Sequence, residues 1–178
     1  MLAVEALVNR YDAVTFDMGF TLVYFHPSED ELYLKAFHSL GLHPDPEALR
    51  LARGLAWREY FDNAASATYE PSEARDRKLE EQMMWRVLRQ LDLGDPALLP
   101  PLLAASKAVF QAPGAIRLYP EVKEVLQTLR ASGLALGIIS NWSWDLPDYV
   151  DQLGLAPYFD VVVGSSRAGC DKPQPQLY

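Results

Sequence analysis

The sequence predicts an α/β fold in which a parallel sheet is interrupted by a helical insertion. Three short apolar runs, each bounded by polar or glycine residues, are typical of buried strands: residues 13–16, 134–139 and 159–163. A helical stretch with short connections precedes each of the last two runs, a pattern that favours right-handed parallel crossovers. The continuous aliphatic run 134–139 indicates a strand buried on both faces. The expected core is therefore a parallel sheet covered by helices.

The insertion is predicted from an amphipathic pattern that continues without a strand through residues 29–111. Apolar residues recur there at i, i+3, i+4 and i+7 spacing, which is typical of helices that bury one face. Four such stripes, separated by glycine or proline turns, occupy residues 33–40, 48–56, 79–91 and 102–110. They favour a small α-helical bundle. We expect a helical cap domain at residues 23–111 and a core domain formed by residues 1–22 and 112–178.

Composition and charge narrow the functional classes. The 178 residues suffice for one domain with an insertion, and the net charge of −8 argues against a nucleic-acid partner. The longest aliphatic run is too short to cross a bilayer, so no membrane partner is expected. The single cysteine allows no disulfide framework and makes a reducing compartment the default. Residues 1–10 lack the basic start of a signal peptide, so the cytoplasm is the expected location.

Polar residues follow the predicted strands. Asp17 comes directly after residues 13–16, and Ser140-Asn141 follows residues 134–139. Ligands of open parallel sheets bind beyond the carboxyl ends of the strands, so these residues and the loop 164–172 are expected to converge on one crevice. Taken singly, each is more often a turn former, a helix start or a solvated lysine. Only their combination predicts a function.

In combination these residues resemble the haloacid dehalogenase-like (HAD) hydrolase superfamily. Three motifs stand in that family's order, each beyond an expected strand: Asp17-x-x-x-Thr21, Ser140-Asn141 and Gly169-x-x-Lys172-Pro173. The resemblance covers essentially the whole chain, and the helical insertion after the first motif is similar to the family's cap. It implies a Rossmann-like parallel core carrying an α-helical bundle cap domain.

The resemblance also implies a covalent mechanism on a small phosphorylated metabolite. Asp17 would attack phosphorus and form an aspartyl-phosphate intermediate. Lys172 would offset the negative charge of the carboxylate and of the phosphoryl oxygens, and Ser140 would donate a hydrogen bond to those oxygens. Thr21 and Asn141 complete the expected catalytic set. A phosphoric monoester hydrolase is thus the first functional prediction.

Mg²⁺ is the expected cofactor, because it prefers carboxylate, carbonyl and phosphate oxygens. In the family it is held by the nucleophile and by the backbone carbonyl two residues later, which are Asp17 and Gly19 here. Phosphatases of the family carry an aspartate at that second position, where it protonates the leaving group and activates water. Gly19 has no proton to give, and acid–base help is typically worth ~10²–10⁴ in rate. The sequence therefore predicts slow turnover, or a preference for acidic leaving groups.

A second departure concerns the family's fourth, acidic motif, which supplies a further metal ligand. Only six residues follow Lys172, and none of them is acidic. The resembled fold also places further strands beside the first one, which would otherwise leave an open edge. We expect these C-terminal strands to be absent from the sequence or supplied by another chain, which leaves an oligomer open.

The same residues also suggest two other enzyme classes. In a 2-haloacid dehalogenase Asp17 would attack carbon without a metal, and a cap arginine, Arg50 or Arg53, would bind the substrate carboxylate. Gly19 counts against this class, because its members usually carry an aromatic residue there. Phosphonate cleavage needs an insertion lysine as Schiff base, and the pattern singles out none of Lys35, Lys78 and Lys107.

A non-catalytic alternative also stays open. A degenerate member would bind a phosphorylated ligand or a partner protein, which Gly19 and the missing fourth motif favour and the intact Asp17 and Lys172 oppose. Aromatic residues of the insertion are more often packed in a core than exposed to a ligand. Trp142 and Trp144, just beyond Ser140, are the better candidates for the wall of a substrate pocket.

Overall fold

A computed structural model describes residues 11–64 and 68–178 and confirms the α/β class. The described residues form five β-strands: β1 Ala13–Phe16, β2 Val23–Phe25, β3 Ile116–Leu118, β4 Ala135–Ser140 and β5 Val161–Gly164. They also form seven α-helices: α1 Glu29–Ser39, α2 Pro46–Ala64, α3 Glu73–Gln90, α4 Leu99–Phe110, α5 Val122–Ala131, α6 Leu146–Gln152 and α7 Ser165–Ala168. The prediction about a signal peptide in residues 1–10 lies outside the described residues.

The main sheet contains β1, β4 and β5, with β4 in the centre and both pairings parallel. In the register, Phe16 lies opposite Ile138, and Ser140 lies opposite Gly164. All three strands run in one direction, so the residues that follow Phe16, Ser140 and Gly164 emerge at the same edge. This is the edge at which parallel sheets bind ligands.

Helices α5 and α6 supply apolar residues to the core of the main sheet. Leu126 of α5, Leu146 of α6 and Ile138 of β4 are completely buried. Burying a side chain of this size contributes about 1.5–3 kcal/mol of stabilisation. Asp160 also ties the start of β5 to β4, because its carboxylate accepts a 2.8 Å hydrogen bond from the backbone N–H of Leu136. The strands that form this edge are therefore held by a packed apolar core and by the hydrogen bond from β4 to Asp160.

The described residues fall into two compact units. One contains the main sheet and comprises residues 11–24, 68–72 and 118–178; the other is helical and comprises residues 25–64 and 73–117. The short segment 68–72 belongs to the sheet unit, although it lies between the second and third helices of the insertion. The cap limits 23–111 stay a prediction.

The helical unit contains α1 to α4, in the region where the sequence predicts four amphipathic helices. Its core includes Phe37, Leu49, Leu88 and Leu102, one from each helix, all nearly or completely buried. A capping box begins α1, in which the Ser28 hydroxyl oxygen accepts from the N–H of Glu31 while the Glu31 carboxylate accepts from the N–H of Ser28. Among the described helices, none is long and apolar enough to cross a membrane.

Candidate active site

Asp17 lies at the carboxyl end of β1, at the start of a tight turn that ends at Val23. The backbone N–H groups of Thr21, Leu22 and Val23 all donate to the carbonyl oxygen of Met18, at 3.4, 3.0 and 3.1 Å. Met18 and Val23 are fully buried and anchor both ends of this turn. Thr21 lies within this turn and is exposed.

One oxygen of the Asp17 carboxylate is held by three donors. Oδ1 accepts hydrogen bonds from the N–H of Met18 at 2.8 Å, from Ser140 Oγ at 2.7 Å and from Lys172 Nζ at 2.9 Å. No donor in the described part of the chain is bonded to Oδ2, and the side chain is 44% exposed. The carboxylate is therefore oriented through one oxygen and open to a ligand through the other.

The same contacts set the charge of Asp17. Burial raises the pKa of the carboxyl, but hydrogen bonds from Lys172 and Ser140, the positive charge of Lys172 and the Met18 N–H together outweigh it. The pKa of Asp17 consequently lies below its ordinary value of 3.8. At neutral pH the group is a carboxylate, which is the form that can attack an electrophile or bind a cation.

Lys172 is positioned by Asn141, the residue that follows β4. The Asn141 side-chain oxygen accepts from the backbone N–H of Lys172 at 2.7 Å, and its amide nitrogen donates to the Lys172 carbonyl at 3.3 Å. The Lys172 ammonium group also donates to the carbonyl oxygen of Ile139 at 3.0 Å. Asn141 thus fixes the backbone of the lysine, while the end of β4 and Asp17 fix its charged group.

The structure also places the insertion segment 68–72 against the loop that carries Lys172. The N–H of Tyr69 donates to the carbonyl oxygen of Gly169 at 2.8 Å, and its hydroxyl donates to the Ser165 carbonyl at 3.0 Å. Tyr69 is one of the aromatic residues of the insertion, and its position in the sequence does not predict this contact. The sole hint in the sequence is Gly169, because a glycine permits the close approach of another backbone.

Replacing Gly169 by alanine should destabilise the protein more than the same change at Gly133. Both glycines have left-handed backbones, with φ of +80° and +85°, so either alanine carries a strain of about 1–3 kcal/mol. A Cβ at residue 169 would also lie 2.4 Å from the Tyr69 carbonyl oxygen, whereas a Cβ at residue 133 would meet nothing within 4 Å. Urea unfolding of the two variants measures the difference, and equal losses would contradict the docking of Tyr69 on Gly169.

Trp142 lies beside the Asp17 turn. A Cβ built on Gly19 would lie 3.5 Å from Cζ3 of the Trp142 ring. The backbone N–H of Trp142 donates to Ser165 Oγ at 3.3 Å, and the indole meets the Tyr149 ring edge to face at 5.8 Å between centroids. The indole therefore forms an aromatic wall next to residue 19. Its contact with a substrate stays a prediction.

The two arginines predicted to bind substrate are both ion-paired within the helical unit. Arg50 Nε donates to the Glu47 carboxylate at 2.9 Å on an exposed helix surface. Arg53 is buried, pairs with Glu29 and Asp30, and its guanidinium lies 3.9 Å from the centre of the Tyr33 ring. These contacts give Arg53 a structural role, and substrate binding by either arginine stays a prediction.

Asp17 Oδ2 and the carbonyl oxygen of Gly19 are the predicted ligands of a hard cation. Asp17 Oδ2 has no bonded donor among the described residues, and the bridge between Gly19 and Val23 uses the Met18 carbonyl and the Phe20 N–H rather than the carbonyl of Gly19. Within residues 11–64 and 68–178, no group of three His, Cys, Asp or Glu side chains could hold a metal. Mg²⁺ often binds with few protein ligands and completes its shell with water and substrate phosphate. Binding of Mg²⁺ by these two oxygens stays a prediction.

Comparisons with known proteins identify relatives of the chain. Residues 11–178 match the family described as haloacid dehalogenase-like hydrolase. The chain is 26% identical over 170 residues to haloacid dehalogenase-like hydrolase domain-containing protein 3 of Danio rerio, covering 93% of this chain and 68% of that protein. It is 38% identical over 58 residues to a phosphoglycolate phosphatase of Aquifex aeolicus, covering 32% of this chain and 27% of the phosphatase.

The fold is also that of a solved L-2-haloacid dehalogenase from Xanthobacter autotrophicus. The TM-score is 0.63 at 22% identity, over 94% of this chain and 62% of that chain. At this identity the likeness concerns the fold alone. The chain spans about two thirds of the length of the Danio rerio protein and of the solved dehalogenase. The family match over residues 11–178, together with the motif order around Asp17, shows that the chain belongs to the haloacid dehalogenase-like hydrolase family.

Proposed function

We propose that the protein is a phosphomonoester hydrolase that acts on a small phosphorylated metabolite through an aspartyl-phosphate on Asp17. The observation that carries this proposal is the state of the Asp17 carboxylate. It is ionised, held through Oδ1 by three donors, one of them the Lys172 ammonium at 2.9 Å, and open through Oδ2. The local similarity to a phosphoglycolate phosphatase supports the same substrate class.

The residues support a two-step displacement. The Asp17 carboxylate attacks phosphorus, the bond from phosphorus to the leaving oxygen breaks, and its electron pair departs with that oxygen. Lys172 and Ser140, both bonded to Asp17, would donate hydrogen bonds to the phosphoryl oxygens. Water then hydrolyses the acyl-phosphate, which releases inorganic phosphate and restores Asp17.

We propose Mg²⁺ as the cofactor. Asp17 and the Gly19 carbonyl would hold it, and it would neutralise part of the phosphoryl charge. Lys172 adds a positive charge next to Asp17. This local charge matters because the chain has a net charge of −8 and does not attract an anion through its overall field. Activity that falls on chelation and returns with Mg²⁺ supports this part of the proposal.

An aryl phosphate should be hydrolysed about 10²–10⁴ times faster than an alkyl phosphate in the presence of Mg²⁺. The reason is that Gly19 cannot protonate the leaving oxygen, so a group that departs as a stable anion is favoured. Steady-state kinetics on p-nitrophenyl phosphate and ethyl phosphate measure this ratio. Fast and equal rates on both esters would contradict the prediction.

Gly19→Asp is the matched variant for that experiment. Gly19 is not among the residues with positive φ, and an added Cβ would meet Trp142 Cζ3 at 3.5 Å, an ordinary contact. The backbone therefore accepts an aspartate. An acid at this position can protonate the leaving oxygen, so the rate on ethyl phosphate should rise more than the rate on p-nitrophenyl phosphate. The ratio of the aryl rate to the alkyl rate should therefore decrease.

A second candidate function is the binding of a phosphorylated ligand without turnover, which Gly19 favours because the site lacks an acid at that position. A hydrolase should form a covalent phosphoryl group on Asp17, or an adduct with a phosphoryl analogue such as trifluoroberyllate, whereas a binding protein should form neither. A dehalogenase is less well supported, because Arg50 and Arg53 already pair with carboxylates of their own unit.

A further inference from the structure

Lys172 follows a helix that is too short to be stable by itself. Helix α7 contains four residues, and its C-cap Gly169 has a left-handed backbone with φ of +80°. Isolated helices shorter than about 12–15 residues are only marginally stable in water. The cap N–H of Gly169 donates to the Ser165 carbonyl at 3.0 Å and closes the turn. Contacts from other segments are therefore needed to fix the backbone that leads to Lys172.

Tyr69 supplies such a contact at each end of α7. Its hydroxyl donates to the carbonyl oxygen of Ser165 at 3.0 Å, and its backbone N–H donates to the carbonyl oxygen of Gly169 at 2.8 Å. The backbone of Tyr69 also passes so close to Gly169 that an added Cβ would clash with its carbonyl oxygen. Tyr69 therefore holds the first residue of the turn with its side chain and the last with its backbone.

The residues between α7 and Lys172 transmit this constraint to the lysine. Cys170 and Asp171 separate Gly169 from Lys172, and they are 2% and 4% exposed. Packed interiors transmit displacements rather than absorb them. The ammonium group of Lys172 in turn lies 2.9 Å from Asp17 Oδ1. A shift of Gly169 should therefore change the position of the lysine charge beside the nucleophile.

From these contacts we propose that Tyr69 is a positioning residue for Lys172, because it holds the turn that places the ammonium group beside Asp17. The inference rests on the proposed phosphatase function, in which Lys172 donates to the phosphoryl oxygens. Tyr69 takes no direct part in the displacement and acts through the lysine. Loss of one neutral hydrogen bond commonly corresponds to a factor of about 2–10, and a misplaced catalytic group lowers the rate of the chemical step.

The first test is a double-mutant cycle on p-nitrophenyl phosphate, in the full chain with Mg²⁺. Tyr69→Phe removes the hydroxyl and keeps the ring, and the Ser165 carbonyl still accepts from the Gly169 N–H. We expect Tyr69→Phe to lower kcat about 2–10-fold in the wild-type background and to leave kcat unchanged in the Lys172→Met background. A merely structural role predicts the same factor in both backgrounds. That result, or an unchanged kcat in the single variant, would overturn the inference.

Tyr158→Phe is the matched control for the loss of a hydroxyl group. The Tyr158 hydroxyl also belongs to the sheet unit and accepts from Gln127 Nε2 at 3.2 Å, and its removal leaves the bonds of Tyr69 to α7 in place. The variant should keep the wild-type kcat. A loss in Tyr158→Phe as large as that in Tyr69→Phe would show a general effect of losing a hydroxyl and would contradict a specific role of Tyr69.

Amide hydrogen exchange tests the positioning without any turnover. The N–H of Lys172 donates to Asn141 Oδ1 at 2.7 Å, and the N–H of Leu136 in β4 donates to the Asp160 carboxylate at 2.8 Å. Tyr69→Phe should accelerate exchange of the Lys172 N–H about 2–10-fold more than exchange of the Leu136 N–H, because the opening is local. Equal acceleration of both amides would contradict the inference. If the wild type releases no phosphate, the proposed function fails, and this exchange experiment still decides whether Tyr69 positions Lys172.

Discussion

Asp17→Asn should lower kcat for an aryl phosphate by about 10⁴–10⁶-fold, the order of loss that follows removal of a covalent nucleophile. Asparagine is nearly isosteric and retains an oxygen that can accept from Met18, Ser140 and Lys172. The loss would therefore arise from nucleophilicity and charge rather than from a collapsed site. Phosphate release under steady-state conditions measures the effect.

Asp12→Asn is the matched control for this substitution. Asp12 is an exposed aspartate at the opposite end of β1, and its backbone carbonyl, not its side chain, accepts from the N–H of Ala135. Its variant should keep wild-type kinetics. If Asp17→Asn retained a tenth of the wild-type rate, the nucleophile would have to be another group.

The covalent step can also be followed directly. Trifluoroberyllate with Mg²⁺ should form an adduct on Asp17 in the wild type and in Asp12→Asn, but not in Asp17→Asn. A protein that binds its ligand without chemistry would form no adduct, and Asp17→Asn would leave its affinity for the ligand largely intact. These results separate the two candidate functions.

The fold class could be predicted because the strands of the main sheet are short, apolar and bounded by polar residues. The run 13–16 coincides with β1, and the runs 134–139 and 159–163 overlap β4 and β5 with ends shifted by one or two residues. The convergence of Asp17, Ser140 and Lys172 also followed from sequence, since parallel strands deliver their following residues to one edge. In the structure these three side chains are joined by hydrogen bonds.

Other features could not be predicted because they depend on long-range or dihedral information. The hydrogen bond of Tyr69 to Ser165 joins two residues that are 96 positions apart, and no periodic pattern in the sequence marks such a contact. Strands β2 and β3 have three residues each, too few to show an alternating pattern. In the Asp17 turn, sequence rules would give the left-handed position to Gly19, whereas the structure gives it to Phe20.

Lys172→Met is the second substitution with a large expected effect, a loss of about 10²–10³ in kcat. Removal of one preorganised electrostatic donor typically has a cost of this order. Lys172 Nζ lies 2.9 Å from the Asp17 carboxylate, and its side chain is only 22% exposed, so this charge is held close to the nucleophile. Lys123→Met is the control, because Lys123 is an exposed lysine of α5 and its loss removes the same charge without removing any of the bonds from Met18, Ser140 and Lys172 to Asp17.

The pH profile gives Lys172 a second, independent readout. Burial raises the pKa of Asp17, and contacts with Lys172 are the largest of the opposing influences that lower it. Methionine removes those contacts and leaves the burial, so the pKa of Asp17 must rise and the carboxylate must protonate at a higher pH. The acidic limb of kcat/KM should therefore move to higher pH in Lys172→Met and stay in place in Lys123→Met. If the rate falls without any movement of that limb, Lys172 acts on the phosphoryl group alone, and the ionisation of Asp17 depends on Ser140 and Met18.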